Sequence, residues 1–439
     1  MSKKQVDVLI VYERKQRELE NAVILQISLE KEGISTKIVQ YYETSGFNIF
    51  NIRPPKIIIV PHLYNTKSFY RILSRFGHAT HIVNLQYEQV LSEKWERLGA
   101  HTPKGMAQNA IHVCWGRSTF ERLSVAGTPH SNLRIIPPIH FDLLKNDFYT
   151  KKTRSDLSVR FNINNKKKWS LFISSFTYAD ISDNRLRMNE GAANTKLNDF
   201  PTIHTESRNT ILAWLRSALT LDKDNILIYR PHPDEISLDA VLMLRDEFPN
   251  FFIIREGSVK EWIGAADALF TWYSTSIVEA HFMDKPYSIL RPHKLPDSFD
   301  SVLLKHGRFI SNQDQFLTAY ESNGVKTKAI DDEVIHRYYE RISDRPARSQ
   351  LVELVKQLLS RRPQVAAPSS SVHYWMGKLK TLLVYPVHFV QLGLSRVNIK
   401  PPLKDKTLLG LIITEIENQV ADSSEKEDTR ERVQQVLNS

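Results

Sequence analysis

Short apolar runs alternate with amphipathic stretches along the first third of the chain. VDVLIVY (6–12) is a continuous apolar run, the pattern of a strand buried on both faces of a parallel sheet. In ERKQRELENAVILQISLEKEG (13–33), Leu19, Val23, Leu25, Ile27 and Leu29 are among the apolar positions of a predicted helix that stops at Gly33. ISTKIVQ, KIIIVP, HIVNLQYEQ, AIHVCWG and LRIIPP read as five further strands, with helices over SFYRILSRFG and 118–126. After residue 168 the alternation restarts. WSLFISSF, NILIYRPHP, NFFIIRE, ALFTW and KPYSILRP are strands, and TESRNTILAWLRSAL, SLDAVLMLRDEF, SVKEWIGAAD and SIVEAHFMD are helices between them. Thr205, Glu206 and Ser207 are read as the cap of the first of these helices, and the polar stretch before it as a flexible loop over a cleft.

Strands alternating with helices predict an α/β protein of two Rossmann-like, doubly wound parallel-sheet domains. The expected division has six parts: 1–150, an N-terminal acceptor-side domain; 151–168, a basic exposed linker; 169–345, a nucleotide-donor domain; 346–362, a helix crossing back; 363–372, a flexible linker; and 373–439, a basic apolar segment with a polar tail frayed from Asp422. Two such domains on one linker predict a cleft between strand ends, where open α/β sheets bind ligands.

Charge and cysteine content narrow the partners. The net charge of +10 suggests an anionic partner: a nucleotide-sugar, a phospholipid surface or a nucleic acid. Cys114 is the only cysteine, so no internal disulfide forms, which fits a reducing cytoplasm. The N-terminal apolar run is too short for a secretory signal. No stretch reaches the roughly 18–20 apolar residues of a bilayer span. Segment 373–400 has four Lys/Arg and no acid. It fits two readings, packing on the protein or lying on an anionic membrane through Tyr374, Trp375, Leu379, Leu382, Leu383 and Phe389, with Lys378, Lys380 and Arg396 at headgroups.

Four stretches carry candidate chemistry. In IYRPHPDE, Pro231 and Pro233 fix the backbone on both sides of His232, directly after a predicted strand. The arrangement suits a tight turn, or a histidine donating a hydrogen bond to a phosphate, with Arg230 behind it. In TWYSTSIVEA, Ser274, Thr275 and Ser276 stand at a strand-to-helix turn, an ordinary cap or an anion site, and Glu279 could accept ribose hydroxyls. In FISSFTYAD, Ser174 and Ser175 end a strand and could touch a phosphate or the acceptor. In NLQYEQ, Glu88 could deprotonate an acceptor hydroxyl, and Lys94, His101 and Lys104 nearby could hold an acidic acceptor. No metal-ligand spacing, P-loop or G-x-S-x-G elbow is present, so no metal or cofactor is expected. The basic linker lacks interleaved aromatics, so nucleic acid is not expected either.

His-Pro followed by a later Ser-Thr-Ser on the second domain resembles bacterial polysialyltransferases, capsule Kdo transferases and CDP-glycerol glycerophosphotransferases. VYERKQRELE, Trp115-Gly116 and YRPHP together resemble bacterial surface-carbohydrate biosynthesis proteins across about residues 5–360. The resemblance implies a GT-B fold and metal-independent transfer from a nucleotide-sugar donor, CMP-linked being favoured. The acceptor would be an oligosaccharide or lipid-linked glycan, and the chain cytoplasmic, with peripheral contact at the inner membrane. It implies that His232, Pro233, Ser274 and Thr275 hold the donor phosphate and that a first-domain acid is the base. The nearest match to that acid is Tyr87-Glu88-Gln89, not an acid-acid-glycine. PPIHFD (137–142) lacks the glycine of the related turn and leaves Asp142 as a partial match. Two rivals remain. One is a nucleotide-sugar 2-epimerase, which usually carries Gly-Gly where this chain has Ser-Thr-Ser. The other is a non-catalytic carbohydrate-binding or scaffold protein.

Overall fold

Strands β1 (Val8–Tyr12), β2 (Thr36–Gln40), β3 (Ile57–Val60), β4 (His81–Asn84), β5 (Ile111–Cys114) and β6 (Leu133–Ile135) are mostly apolar and mostly buried, because a parallel sheet covered by helices has little wet face. The computed structural model describes residues 6–438 except 49, 145–150, 194–195, 198, 236, 322–327, 342–344, 362–370 and 383–418. The chain divides into two units. The first comprises Met1–Gln89, Gly99–Leu143 and His336–Ser439; the second comprises Val90–Leu98 and Leu144–Ile335.

In the first unit all six strands are parallel, in the order β2-β1-β3-β4-β5-β6. The helix Lys15–Lys31 is buried almost all round, including the consecutive Ala22, Val23, Ile24 and Leu25. It packs on β1 and β2 and also against two late helices, Ala347–Ser360 and Ser423–Asn438. Asp142, buried at the end of PPIHFD, accepts the Ala347 and Arg348 N–H groups at 2.8 Å each and so caps the first of these helices. Gly116 of the Trp-Gly pair is required by space, since a Cβ there would lie 2.4 Å from the Tyr338 backbone.

The second unit holds β7 (Trp169–Ile173), β8 (Ile226–Arg230), β9 (Phe251–Ile253), β10 (Ala268–Thr271), β11 (Tyr287–Leu290) and β12 (Phe309–Ile310). They are parallel, in the order β12-β11-β10-β7-β8-β9. The chain moves outward from β7 through β8 to β9, then crosses to the other side of β7 to form β10. That is the doubly wound Rossmann order.

Four expectations are corrected. Residues 151–161, read as part of an exposed linker, form the helix Lys151–Phe161 of the second unit. Leu157 is buried there, and Arg154 ion-pairs with Asp267 at 2.9 Å, so the basic residues flank an anchored element. The stretch read as a flexible loop contains the helix Asp183–Ala193. The following helix begins at Phe200 with Pro201 in its first turn, so Thr205, Glu206 and Ser207 are interior positions and not a cap. The tail read as frayed from Asp422 is the helix Ser423–Asn438, with Val433 and Val436 buried one turn apart. Its polarity is the docking code: Glu425 pairs with Lys15 (2.6 Å), Lys426 with Glu43 (3.2 Å) and Arg430 with Glu30 (2.8 Å). The expected linker 363–372 falls almost wholly outside the described residues, as do Leu383, Phe389 and Arg396.

Candidate functional site

Strands β7, β8 and β10 end level with one another, because Ile173 is in register with both Arg230 and Thr271. Their following loops therefore emerge side by side at the point where the winding reverses, the usual ligand position in such sheets. These loops carry Ser174 and Ser175, the Pro231–Pro233 turn, and Trp272–Ser276. Sequence reasoning placed these residues at strand ends; register places them together.

His232 is held in one tautomer. Its Nδ1 accepts the Asp234 N–H at 3.1 Å, so in the neutral ring the proton sits on Nε2, a hydrogen-bond donor. The turn is locked from beneath by Glu235, which sequence reasoning passed over. This carboxylate is 1% exposed and accepts the His232 N–H (3.2 Å) and the Tyr229 hydroxyl (2.7 Å). Burial pushes its pKa up, and hydrogen bonds from Ser174, Tyr229 and the His232 amide offset this only in part. Arg255 laces the outside of the loop, donating to the Glu235 carbonyl at 2.7 Å. The signal for Glu235 was the acid two residues after Pro233, one of two that follow the His-Pro turn.

Two predicted donor contacts are engaged otherwise. Ser174 is buried, with its hydroxyl within 2.8 Å of the Tyr229 oxygen, so it supports the His232 loop from inside. The Arg230 guanidinium donates to the Glu256 carbonyl at 2.8 Å and to the Gly257 carbonyl, and burial lowers its pKa to about 10. Ser175 differs: its hydroxyl is buried and has no hydrogen-bond partner among the described residues. Such a group is costly unless something else satisfies it.

The Ser-Thr-Ser turn precedes a six-residue helix, Ile277–Phe282, too short for much macrodipole. The anion-binding capacity therefore rests on local groups. The Ser274 hydroxyl accepts the Ser276 N–H at 3.2 Å, which leaves its own proton to donate outward. Thr275 is exposed, and Glu279 is half-buried two residues into the helix. The turn is fixed by Arg291, also unforeseen, which donates to the Trp272 carbonyl and pairs with buried Asp300 at 2.7 Å.

The first unit has its own constellation at its switch point between β1 and β3. A pocket of about 220 Å³ is lined by Glu13, Arg14, Arg17, Pro61, His62, Tyr64, Tyr87 and Glu88. At about 30 Å³ per water that volume has room for about seven waters, or for a small polar group. Glu88 pairs with Arg17 at 2.6 Å, and its second oxygen is 3.5 Å from His101 Nε2. His101 Nδ1 donates to the Glu88 carbonyl at 3.0 Å, which fixes its tautomer. Burial pushes the Glu88 carboxyl up, but Arg17 and then His101 outweigh it, so Glu88 is held below the usual carboxylate range. His62 stacks on Tyr64 (5.2 Å), and Tyr64 lies against His101 (5.2 Å).

The loop presenting Glu88 is pinned by amide side chains that the sequence reading left unused. Gln86 donates to the Glu88 carbonyl at 3.1 Å, and Gln89 bonds the Val113 carbonyl and the Trp115 N–H at 2.8 Å each. Glu18, fully buried in VYERKQRELE, accepts the Glu13 and Arg14 N–H groups and bonds Arg17. Of the cations expected around Glu88, His101 is there. Lys94 instead belongs to the second unit, where it caps the Phe299 ring and donates to the Lys196 carbonyl at 2.6 Å. Among the described residues no group of three or more His, Cys, Asp or Glu is placed to hold a metal ion.

No protein-family model matches the sequence, and no curated protein matches it significantly. Solved structures do match in fold. A UDP-GlcNAc 2-epimerase from Neisseria meningitidis, solved with UDP-GlcNAc, aligns over 80% of this chain and 99% of its own at 11% identity and a TM-score of 0.51. Another UDP-N-acetylglucosamine 2-epimerase aligns over 83% and 99% at 11% identity and 0.50. The wall teichoic acid polymerase TagF, as a variant, aligns over 81% and 90% at 10% identity and 0.50. At these identities the likeness is one of fold: two Rossmann-like α/β units of GT-B type.

Proposed function

We propose that this chain is an enzyme acting on a nucleotide-activated sugar in the assembly of a surface polysaccharide, and that its reaction is sugar transfer. The observation that carries this reading is the meeting, at one switch point, of a tautomer-fixed His232 and the Ser274–Ser276 turn, beside a buried Ser175 hydroxyl that has no partner among the described residues. His232 and the turn can donate hydrogen bonds to a phosphate without supplying a fixed negative charge. In transfer, the bond from the anomeric carbon to the phosphate oxygen breaks, and the nucleotide leaves with the electron pair. His232 Nε2–H, Ser274 and Thr275 would stabilise that growing charge, and Glu279 would hold the ribose. Glu88, ionised in its pocket, would take the acceptor proton as the acceptor oxygen bonds to the anomeric carbon.

A second reading is 2-epimerisation of a UDP-sugar, favoured by the names of two of the fold neighbours above. Its counter-argument is the Ser-Thr-Ser turn, where glycines would let a backbone approach the phosphates more closely.

The test is a thermal shift with CMP, CDP, UDP and GDP on the wild type and on His232→Ala, since a ligand that binds only the folded chain must raise its melting temperature. A nucleotide-selective rise that falls in the variant is expected. No rise with any nucleotide would sink the reading and favour a scaffold protein. Incubation with the sugar nucleotide alone then separates the reactions: an epimerase inverts C2 with no acceptor present, and a transferase does not.

A further inference from the structure

The first unit carries an apolar surface that its own core leaves uncovered. Residues 372–382 are helical. Tyr374 and Thr381 face the body and are 3% exposed. The Tyr374 hydroxyl meets His78 Nε2 at 2.6 Å, and a Cβ on Gly377 would lie 2.6 Å from the Ser74 hydroxyl, so the helix sits tight on this unit. The opposite face carries Val372, Trp375, Met376, Leu379 and Leu382, spaced as one helical stripe and 44–70% exposed. Tyr374 is thereby removed from the residues expected to enter a membrane, whereas Trp375, Leu379 and Leu382 keep the outward position.

A second exposed apolar element adjoins it. Phe50 (76%) and Ile52 (70%) flank Asn51, whose side chain accepts the His78 N–H at 2.7 Å. His78 is thus the common neighbour of both elements. The three segments that build this surface, 47–56, 66–78 and 372–382, contain seven Lys/Arg and no Asp or Glu. Arg75 is turned inward onto Tyr41 and Phe47, and Lys56 pairs with Asp7 at 2.9 Å, so the charge of the face rests on Arg53, Lys67, Arg71, Lys378 and Lys380. Lys378 lies over the Trp375 ring at 5.2 Å, the pairing of a flat amphipathic ring and a long cation that suits the headgroup level of a bilayer.

We propose that this face docks on an anionic lipid surface, with the 372–382 stripe and the Phe50–Ile52 loop at the acyl boundary and Lys378, Lys380, Arg71 and Arg53 among the headgroups. Complementary charge selects lipid over a second copy of the chain, because two such faces would bring like charges together. No helix of the described residues is long and apolar enough to cross a membrane; the contact proposed is a peripheral one, through one helical face and a loop. The inference is independent of the nucleotide reading.

The experiment is co-sedimentation of the full chain with vesicles of phosphatidylcholine alone and of phosphatidylcholine with phosphatidylglycerol. Two variants accompany it: Trp375→Ser/Leu379→Ser and Lys378→Glu/Lys380→Glu. All four side chains are at least partly exposed, so the variants should melt with the wild type and keep its nucleotide shift. The wild type should bind the anionic vesicles selectively, and each variant should lose about tenfold or more in partitioning. Absent or equal binding of the wild type to the two vesicle types would overturn the proposal. So would variants that bind as the wild type does. A lipid-free dimer abolished by Trp375→Ser/Leu379→Ser would also overturn it, assigning the face to self-association.

Discussion

The two units solve one problem, presenting polar groups at a switch point of a parallel sheet, with opposite means. In the second unit the presenting turns are tied from below by buried groups: Glu235 beneath His232, and the Arg291–Asp300 pair beneath Trp272, with side chains 4% and 9% exposed. In the first unit the key carboxylate, Glu88, is half-exposed and held by Arg17, itself 40% exposed. The difference separates a rigid frame of neutral donors from a carboxylate kept ionised in reach of water. It predicts that the same kind of substitution will cost stability in one unit and reactivity in the other.

The largest effect is expected at Arg291. Arg291→Ala leaves the Asp300 carboxylate buried without its cation, holding only the Ser301 N–H, and frees the Trp272 carbonyl, which should cost about 3–5 kcal/mol. Denaturant unfolding gives the size, and hydrogen exchange resolved by peptide should place the loss in the second unit. A loss below that of a surface ion pair would mean that the frame is not rigid in the sense argued. Glu235→Ala comes next, because it takes the carboxylate partner from the His232 N–H and leaves the Tyr229 hydroxyl with Ser174 alone. About 2–3 kcal/mol is expected, with the nucleotide shift weakened through the loosened His232 turn.

A buried histidine in each unit gives the third contrast. His112 is bonded to Asn84 (3.1 Å) and to the Ala107 carbonyl (2.9 Å), while neither ring nitrogen of His204 has a partner among the described residues. Burial lowers their pKa values to about 4 and about 3 respectively. Unfolded, each binds a proton near pH 6.5, so below that value the unfolded chain holds more protons than the folded one. Stability should therefore fall with pH from about 6.5 down to these folded values, by up to about 1.4 kcal/mol per pH unit for each ring. His204→Phe should remove one share of that slope and, lacking bonds to lose, raise stability at neutral pH by about 1 kcal/mol. His112→Leu should destabilise instead. A destabilising His204→Phe would show that His204 is satisfied by something other than the chain.

Eleven of the twelve strands were readable because buried strands write themselves as apolar runs, and the motifs at their ends followed from where the runs stop; β12, two residues long with Phe309 exposed, offers no such run. What escaped the sequence is what depends on pairing across distance. The acid two residues after Pro233 was visible, but its burial beneath the turn was not, and nothing local marks Asp142 as the cap of a helix two hundred residues later. The Ser423–Asn438 helix looks like a polar tail because its partners, Lys15, Glu30 and Glu43, are at the other end of the chain. Charge density misled in the same way at 151–161, where Leu157 and Arg154 anchor a helix that composition alone describes as solvated. At the candidate site, residue types were legible, but the direction in which each side chain turns was not: Ser174 and Ser175 are neighbours in sequence, yet Ser174 meets Tyr229 while the Ser175 hydroxyl finds no partner among the described residues.

The sharpest test of the contrast is at Arg17. Its pair with Glu88 is partly exposed, but it also pairs with buried Glu18, which would keep the Glu13 and Arg14 N–H groups, so Arg17→Gln should cost about 1–2 kcal/mol. Its effect on reactivity should be larger than that figure suggests. Arg17 is the largest influence holding the Glu88 carboxyl below the usual range, so its loss should move the Glu88 pKa upward. If Glu88 takes the acceptor proton, it works only when ionised, and the acid limb of the pH–rate profile should move to higher pH in the variant. The plateau above that limb should hold or rise, because a carboxylate freed of its guanidinium is the stronger base. An acid limb that stays in place while the plateau collapses would assign Arg17 to substrate contact and remove Glu88 from the base role, leaving the first-unit pocket a binding element only.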